Sequence, residues 1–168
     1  ALYDAIGKTI NTVRANHAKL GNERPSKVLV CIVTDGQENA SREYKLDDIK
    51  KLIKNCEEDN WNFIYLAANQ NAFEVGSSFG VSMGNTYTYT ASGQGVAFMS
   101  SVLNDASVSY RSMDTSSADF KTKSKNLIND ENKLNNTIIA SSSTGTYNIG
   151  DINFPNGTTT STNNVILN

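Results

Sequence analysis

Lys27-Val-Leu-Val-Cys-Ile-Val-Thr-Asp-Gly36 is the stretch that decides the fold. Val28 to Val33 is an unbroken apolar run, mostly β-branched. Such a run predicts a strand buried on both faces, as in a parallel sheet covered by helices. The run stops at Thr34-Asp35-Gly36, which places a carboxylate at the C-terminal end of that strand. Open α/β sheets bind their ligands at this end, so Asp35 is the first candidate site residue. Asp-Gly after a strand is also ordinary turn chemistry, and both readings stand at this point.

Outward from this strand, helices and strands alternate. Leu2, Ile6, Ile10, Val13, His17 and Leu20 recur at steps of three and four, which predicts a helix over 2–20 closed by Gly21. His17 reads as a packed core side chain. After the polar loop 36–44, Leu46, Ile49, Ile53 and Cys56 mark a helix over 46–59. Trp61 to Ala67 is a second buried strand, ending in the polar cluster Asn69-Gln70-Asn71. A short helix is expected over 71–79, with Ala72, Phe73, Val75 and Phe79 inward and Gly80 as its stop. Thr86-Tyr-Thr-Tyr-Thr90 alternates strictly and has high β-propensity, so a third strand is expected there. Val96, Met99, Leu103 and Ala106 define a helix over 93–111. The alternation predicts an α/β, Rossmann-like, doubly wound parallel sheet with right-handed crossovers and three strands. Nothing obvious in the chain is available to pair with the second edge of strand 28–33.

Composition changes beyond residue 111. Residues 112–134 read as a linker or a marginal helix, with Phe120, Leu127, Ile128 and Leu134 loosely spaced. From Asn135 to Asn168, 19 of 34 residues are Ser, Thr or Asn, too polar a mix to build a core. This segment reads as an extended arm, with the turn signal of a hairpin at Pro155-Asn156-Gly157.

The net charge of −2 supplies no basic field for nucleic acid or an anionic membrane. No apolar run approaches the roughly 20 residues of a membrane span, and no targeting segment is read. Cys31 and Cys56 lack metal-ligand spacing and read as core thiols. A reduced compartment fits them, so a cytoplasmic or virion-associated setting is expected over secretion. His17 is the sole histidine, there is no Gly-rich phosphate loop, and no nucleophile–base set converges. An enzyme is therefore not expected. Asp47 and Asp48 suit the start of their helix.

Three pieces of the chain resemble a known family. Ala-Leu-Tyr-Asp-Ala-Ile-Gly (1–7), Val-Leu-Val-Cys-Ile-Val-Thr-Asp-Gly-Gln-Glu-Asn (28–39) and Phe-Ile-Tyr-Leu-Ala-Ala-Asn-Gln-Asn-Ala-Phe (63–73) are similar to the von Willebrand factor A domain. The branch resembled is the bacterial and bacteriophage one, with its TDG-x-EN-x-S loop, and the likeness covers about 1–111. It implies a protein–protein interaction module of adhesion type. Its metal-ion-dependent adhesion site would hold Mg²⁺ by an Asp-x-Ser-x-Ser motif, a Thr before a helix and an Asp after a later strand. Oxygen ligands of this kind suit a hard cation. Only Asp35 matches, as one ligand; the other motifs and the family's first three strands have no counterpart here. Mg²⁺ is thus expected only if the missing ligands are supplied from elsewhere. Either this is the C-terminal part of a longer polypeptide, or a half-domain that borrows strands from a partner. Gln37, Glu38, Asn39 and Ser41 would form one wall of the ligand crevice, and Asn69, Gln70 and Asn71 the other. The competing expectation is a structural protein of a phage particle or other large assembly, using its sheet edge and its arm between chains.

Overall fold

The structure, a computed structural model, describes residues 1–128. The expected arm over 135–168, with its hairpin, lies outside the described residues. Among those residues the order is α1 (Leu2–Leu20), β1 (Val28–Thr34), α2 (Leu46–Glu58), β2 (Trp61–Ala68), α3 (Ala72–Ser78), β3 (Thr86–Tyr89), α4 (Gly93–Ser112) and α5 (Phe120–Ser124). Short 3₁₀ turns precede β1 and β3. The chain is mixed α/β, with a three-stranded parallel sheet in the order β1-β2-β3 flanked by helices.

Strand alternation explains the layers. Trp61, Phe63, Tyr65 and Ala67 of β2 share one core cluster with Ile32 of β1 and with Ile6, Ile10, Ile49, Ile53, Cys56 and Phe79. That face is covered by α1, α2 and α3. Ile64, Leu66 and Ala68 point the other way, into a second cluster with Met99, Val102, Ala106 and Tyr110 of α4. The central β2 is buried at every residue. Helix ends fall where the sequence allows them: Gly21 and Gly80 both take positive φ, 55° and 105°, just after α1 and α3. His17 packs its ring against Trp61, centroids 5.8 Å apart.

The strand expected to be buried on both faces is β2 rather than β1. In β1 only Ile32 is buried, while Cys31 and Val33 are exposed. The cause is topological. β1 is the outer strand of the sheet among the described residues, and α4 reaches only Leu29 on its second face. Cys31, expected in the core, is therefore at the surface, while Cys56 is buried. Phe73, Val96 and Leu20, assigned to inward helix faces, are 46%, 45% and 47% exposed. Each sits at or near a helix end.

The stretch after α4 is packed. Phe120, Leu127 and Ile128 are buried in the second cluster. A buried amide network ties this stretch to the sheet. Asn85 Nδ2 donates to Asn62 Oδ1 at 3.1 Å and to the Ser124 carbonyl at 2.9 Å, and its Oδ1 accepts from the Leu127 N–H at 2.9 Å. Asn62 Nδ2 also donates to the Ser124 carbonyl. Buried amides partnered in this way carry no desolvation penalty that remains unmet. Among the described residues no helix is long and apolar enough to cross a membrane.

Candidate functional site

Three parallel strands end on one rim, so the segments after β1, β2 and β3 meet there. Gln70 joins the first two: its Nε2 donates to the Gly36 carbonyl at 3.2 Å and approaches the Tyr65 hydroxyl at 3.4 Å. Burial pushes that phenol up to about 12, so it stays neutral at ordinary pH. The second and third segments are joined by the Asn69 N–H donating to the Tyr89 carbonyl at 3.0 Å, and by the Ala91 N–H donating to Asn69 Oδ1 at 3.3 Å. Asn69 stands at φ 52°, a left-handed conformation that Asn tolerates better than most residues. Asn71 caps α3, its Oδ1 accepting from the Glu74 N–H at 3.2 Å. Thr88 closes the turn, donating to the Gln70 carbonyl at 2.9 Å and accepting from the Ala72 N–H at 3.1 Å.

The loop after β1 is held from below by two carboxylates. Glu38 turns inward to the start of α1, where it accepts from the N–H groups of Tyr3 (3.0 Å), Ala40 (2.9 Å) and Ser41 (2.7 Å) and from the Ser41 hydroxyl (2.8 Å). Ser41 Oγ in turn accepts from the Asp4 N–H at 3.2 Å. Ala1 offers no side-chain cap to α1, so Glu38 and Ser41 of the loop serve as that cap. Desolvation pushes the Glu38 carboxyl up. The bonds from Ser41, Tyr3 and the Ala1 amine outweigh it and hold the group well below the usual carboxylate range.

Asp4 answers from the helix side. Its carboxylate accepts from the N–H groups of Arg42, Glu43 and Tyr44, each at 2.9 Å, and these bonds lower its pKa. Lys8 and Glu43 form an ion pair beside it. Asp4 is the residue that sequence reasoning missed. The signal for it was an acid in the first turn of α1 followed, much later, by a loop rich in N–H donors.

The candidate residues thus separate into two groups. Glu38, Ser41, Gln70 and Asn71 hold the rim together, as Asn69 does through its backbone turn. Asp35, Gln37 and Asn39 are exposed and make no hydrogen bond or ion pair among the described residues. Asp35 follows directly on β1, so its carboxylate is carried by the sheet.

A divalent cation needs several oxygen ligands converging on one point. Among the described residues no group of three or more His, Cys, Asp or Glu side chains has that arrangement. Glu38, the nearest acid in sequence to Asp35 on this loop, is committed to N–H donors. The donor set of these residues does not fit Mg²⁺ without added ligands.

A second feature lies along β1. Lys27, Leu29, Cys31, Ser107, Tyr110 and Arg111 line an open groove of about 490 Å³ between β1 and α4. At its lower end the Lys27 ammonium donates to the carbonyls of Arg111, at 2.7 Å, and Met113. Comparison with protein-family models, curated proteins and solved structures finds no match to this chain.

Proposed function

We propose that the chain is a non-enzymatic protein–protein interaction module of adhesion type, with the rim around Asp35 as its contact surface. The observation that carries this reading is the division of labour on the rim. Glu38, Ser41 and Asp4 anchor the loop from below, while Asp35, Gln37 and Asn39 point no bonds inward. A polar surface held in place before binding loses little entropy on binding. The reading is supported further by the likeness of 1–7, 28–39 and 63–73 to the von Willebrand factor A domain, and it rests on those quoted residues. A Mg²⁺-dependent version requires oxygen ligands from another polypeptide segment beside Asp35.

A second reading, assembly through the sheet edge, is favoured by a separate observation. β1 has no neighbour on its outer side among the described residues, and Cys31 and Val33 are exposed. Exposed edges of this kind recruit strands from other chains. The test immobilises the full chain and compares the proteins retained by wild type, Asp35→Ala and Val33→Lys, with and without EDTA. A partner lost with Asp35→Ala supports the rim, and loss in EDTA adds the metal. A partner lost only with Val33→Lys moves the function to the edge. Retention by all three variants overturns both readings.

A further inference from the structure

We propose that the cavity at the N-terminal end of β1 and β2 binds a small zwitterion of the α-amino-acid class. Its ammonium would meet Glu58 and Asp59, and its carboxylate would meet Arg24 and the Trp61 indole. The site lies at the opposite end of the sheet from the rim around Asp35, and it does not rest on the function proposed for that rim.

Topology makes the cavity. β1 and β2 start level with each other, Val28 beside Trp61. On the face they share, α1 ends at Leu20 and α2 at Glu58, so both helices run out here. The chain then crosses to each strand by a turn, over 21–27 and 59–60. The two turns enclose a space of about 310 Å³, walled by Asn22, Arg24, Ser26, Glu58, Asp59 and Trp61 among others. Small-ligand sites begin at about 300 Å³.

Trp61 supplies the first sign of a ligand. The residue is only 7% exposed, and its ring packs against His17, another wall residue. Its indole N–H has no hydrogen-bond partner among the described residues. Every enclosed side-chain nitrogen and oxygen there is partnered, so this N–H reaches open space, and the cavity is open space that Trp61 lines. A buried donor held in this way calls for an acceptor.

The end of α2 supplies the second. Glu57-Glu58-Asp59 closes the helix, and its last turn carries no base. Carboxylates at a helix C-terminus oppose its dipole, and a cation placed there is stabilising. Lys125 answers Glu57 at 3.7 Å. The side chains of Glu58 and Asp59 have no hydrogen bond or ion pair among the described residues, and neither does Arg24 on the facing turn. A cation alone would leave the Trp61 N–H and the guanidinium unanswered. An anion alone would meet two carboxylates. A zwitterion satisfies both walls, with the guanidinium able to grip a carboxylate by two parallel bonds. None of these side chains gives up an internal partner on binding.

The experiment uses the full chain, in which Trp61 is the sole tryptophan, so its emission reports on this site. L-Alanine, L-glutamine, acetate and methylamine are titrated separately, followed by Trp61 emission and by calorimetry. Both amino acids are expected to saturate the signal at about 1 mM or below, with acetate and methylamine weaker by at least about tenfold. Arg24→Ala, Asp59→Asn and Glu58→Gln are each expected to weaken the amino acids by about tenfold with an unchanged circular dichroism spectrum, and Lys50→Ala, on the exposed side of α2, to leave them unaffected. Absence of both a saturable emission change and heat up to about 10 mM overturns the proposal. So does binding that ignores Arg24→Ala and the two carboxylate variants, and so does acetate or methylamine binding as tightly as the amino acids.

Discussion

Gly7→Ala sets two magnitudes against each other. Gly7 lies inside α1, where alanine is favoured over glycine by about 1 kcal/mol on intrinsic propensity. On that ground alone the substitution stabilises. The structure reverses the sign. A Cβ at position 7 would stand 2.6 Å from Cδ1 and Cε1 of Tyr44 and 2.7 Å from its Cγ. Carbon atoms in contact prefer about 3.5–4.0 Å, so the overlap is close to 1 Å. The ring cannot swing away freely, because the Tyr44 hydroxyl accepts from Asn11 Nδ2 at 2.8 Å and the Tyr44 N–H donates to Asp4 at 2.9 Å. The helix must retreat from the loop, and overpacking of this kind costs about 1–3 kcal/mol beyond the propensity gain. Retreat also stretches the Asp4 and Glu38 bonds that hold the rim. The expected net effect is therefore a loss of about 1–3 kcal/mol, read as a urea midpoint lower by about 0.5–1.5 M at unchanged slope. In a Tyr44→Ala background the same substitution should become neutral or stabilising, so the double-mutant cycle isolates the contact. A higher midpoint for Gly7→Ala in the wild-type background would refute the packing of α1 on this loop.

Three further outcomes follow from the same structure. Glu38 and Asp4 have folded-state pKa values below their unfolded ones, so their contribution is complete above about pH 4–5 and disappears as pH falls through the folded values. The urea midpoint should therefore drop below about pH 4, and Glu38→Gln should flatten that dependence; an unchanged slope would contradict the role given to Glu38. Asn85→Ala removes the partner of Asn62, Ser124 and Leu127 in a buried site, and should cost about 3 kcal/mol or more by calorimetry, with 120–128 becoming protease-sensitive. Cys31 is exposed, although the groove walls push its thiol up, whereas Cys56 is buried. A thiol reagent should thus label one cysteine in the native chain and both in denaturant, and rapid native labelling of Cys56 would contradict the packing of α2.

The α/β alternation was legible because the strands and helices differ in period, and the helix bounds agree with the sequence to within a residue or two. Burial was less legible. Val28–Val33 and Trp61–Ala67 are similar apolar runs, yet one lies at the sheet's edge and the other at its centre. Strand order depends on which helix covers which face, and a local apolar run carries no record of that. The rim loops were located from strand ends, but not the bonds within them. Glu38 and Asn39 are adjacent polar residues in the sequence; the structure turns the first to the α1 terminus and leaves the second in solvent. That distinction depends on the Tyr3 N–H at the start of α1, far away in the sequence, which donates to Glu38 and has no counterpart for Asn39.

The open edge of β1 is tested most directly by amide hydrogen exchange, residue by residue, on dilute protein. Val30 and Ile32, bonded into the sheet, should exchange slowly, and Leu29, Cys31 and Val33 quickly. Equal protection along the whole strand at every dilution would mean that its outer side is already filled within a single chain.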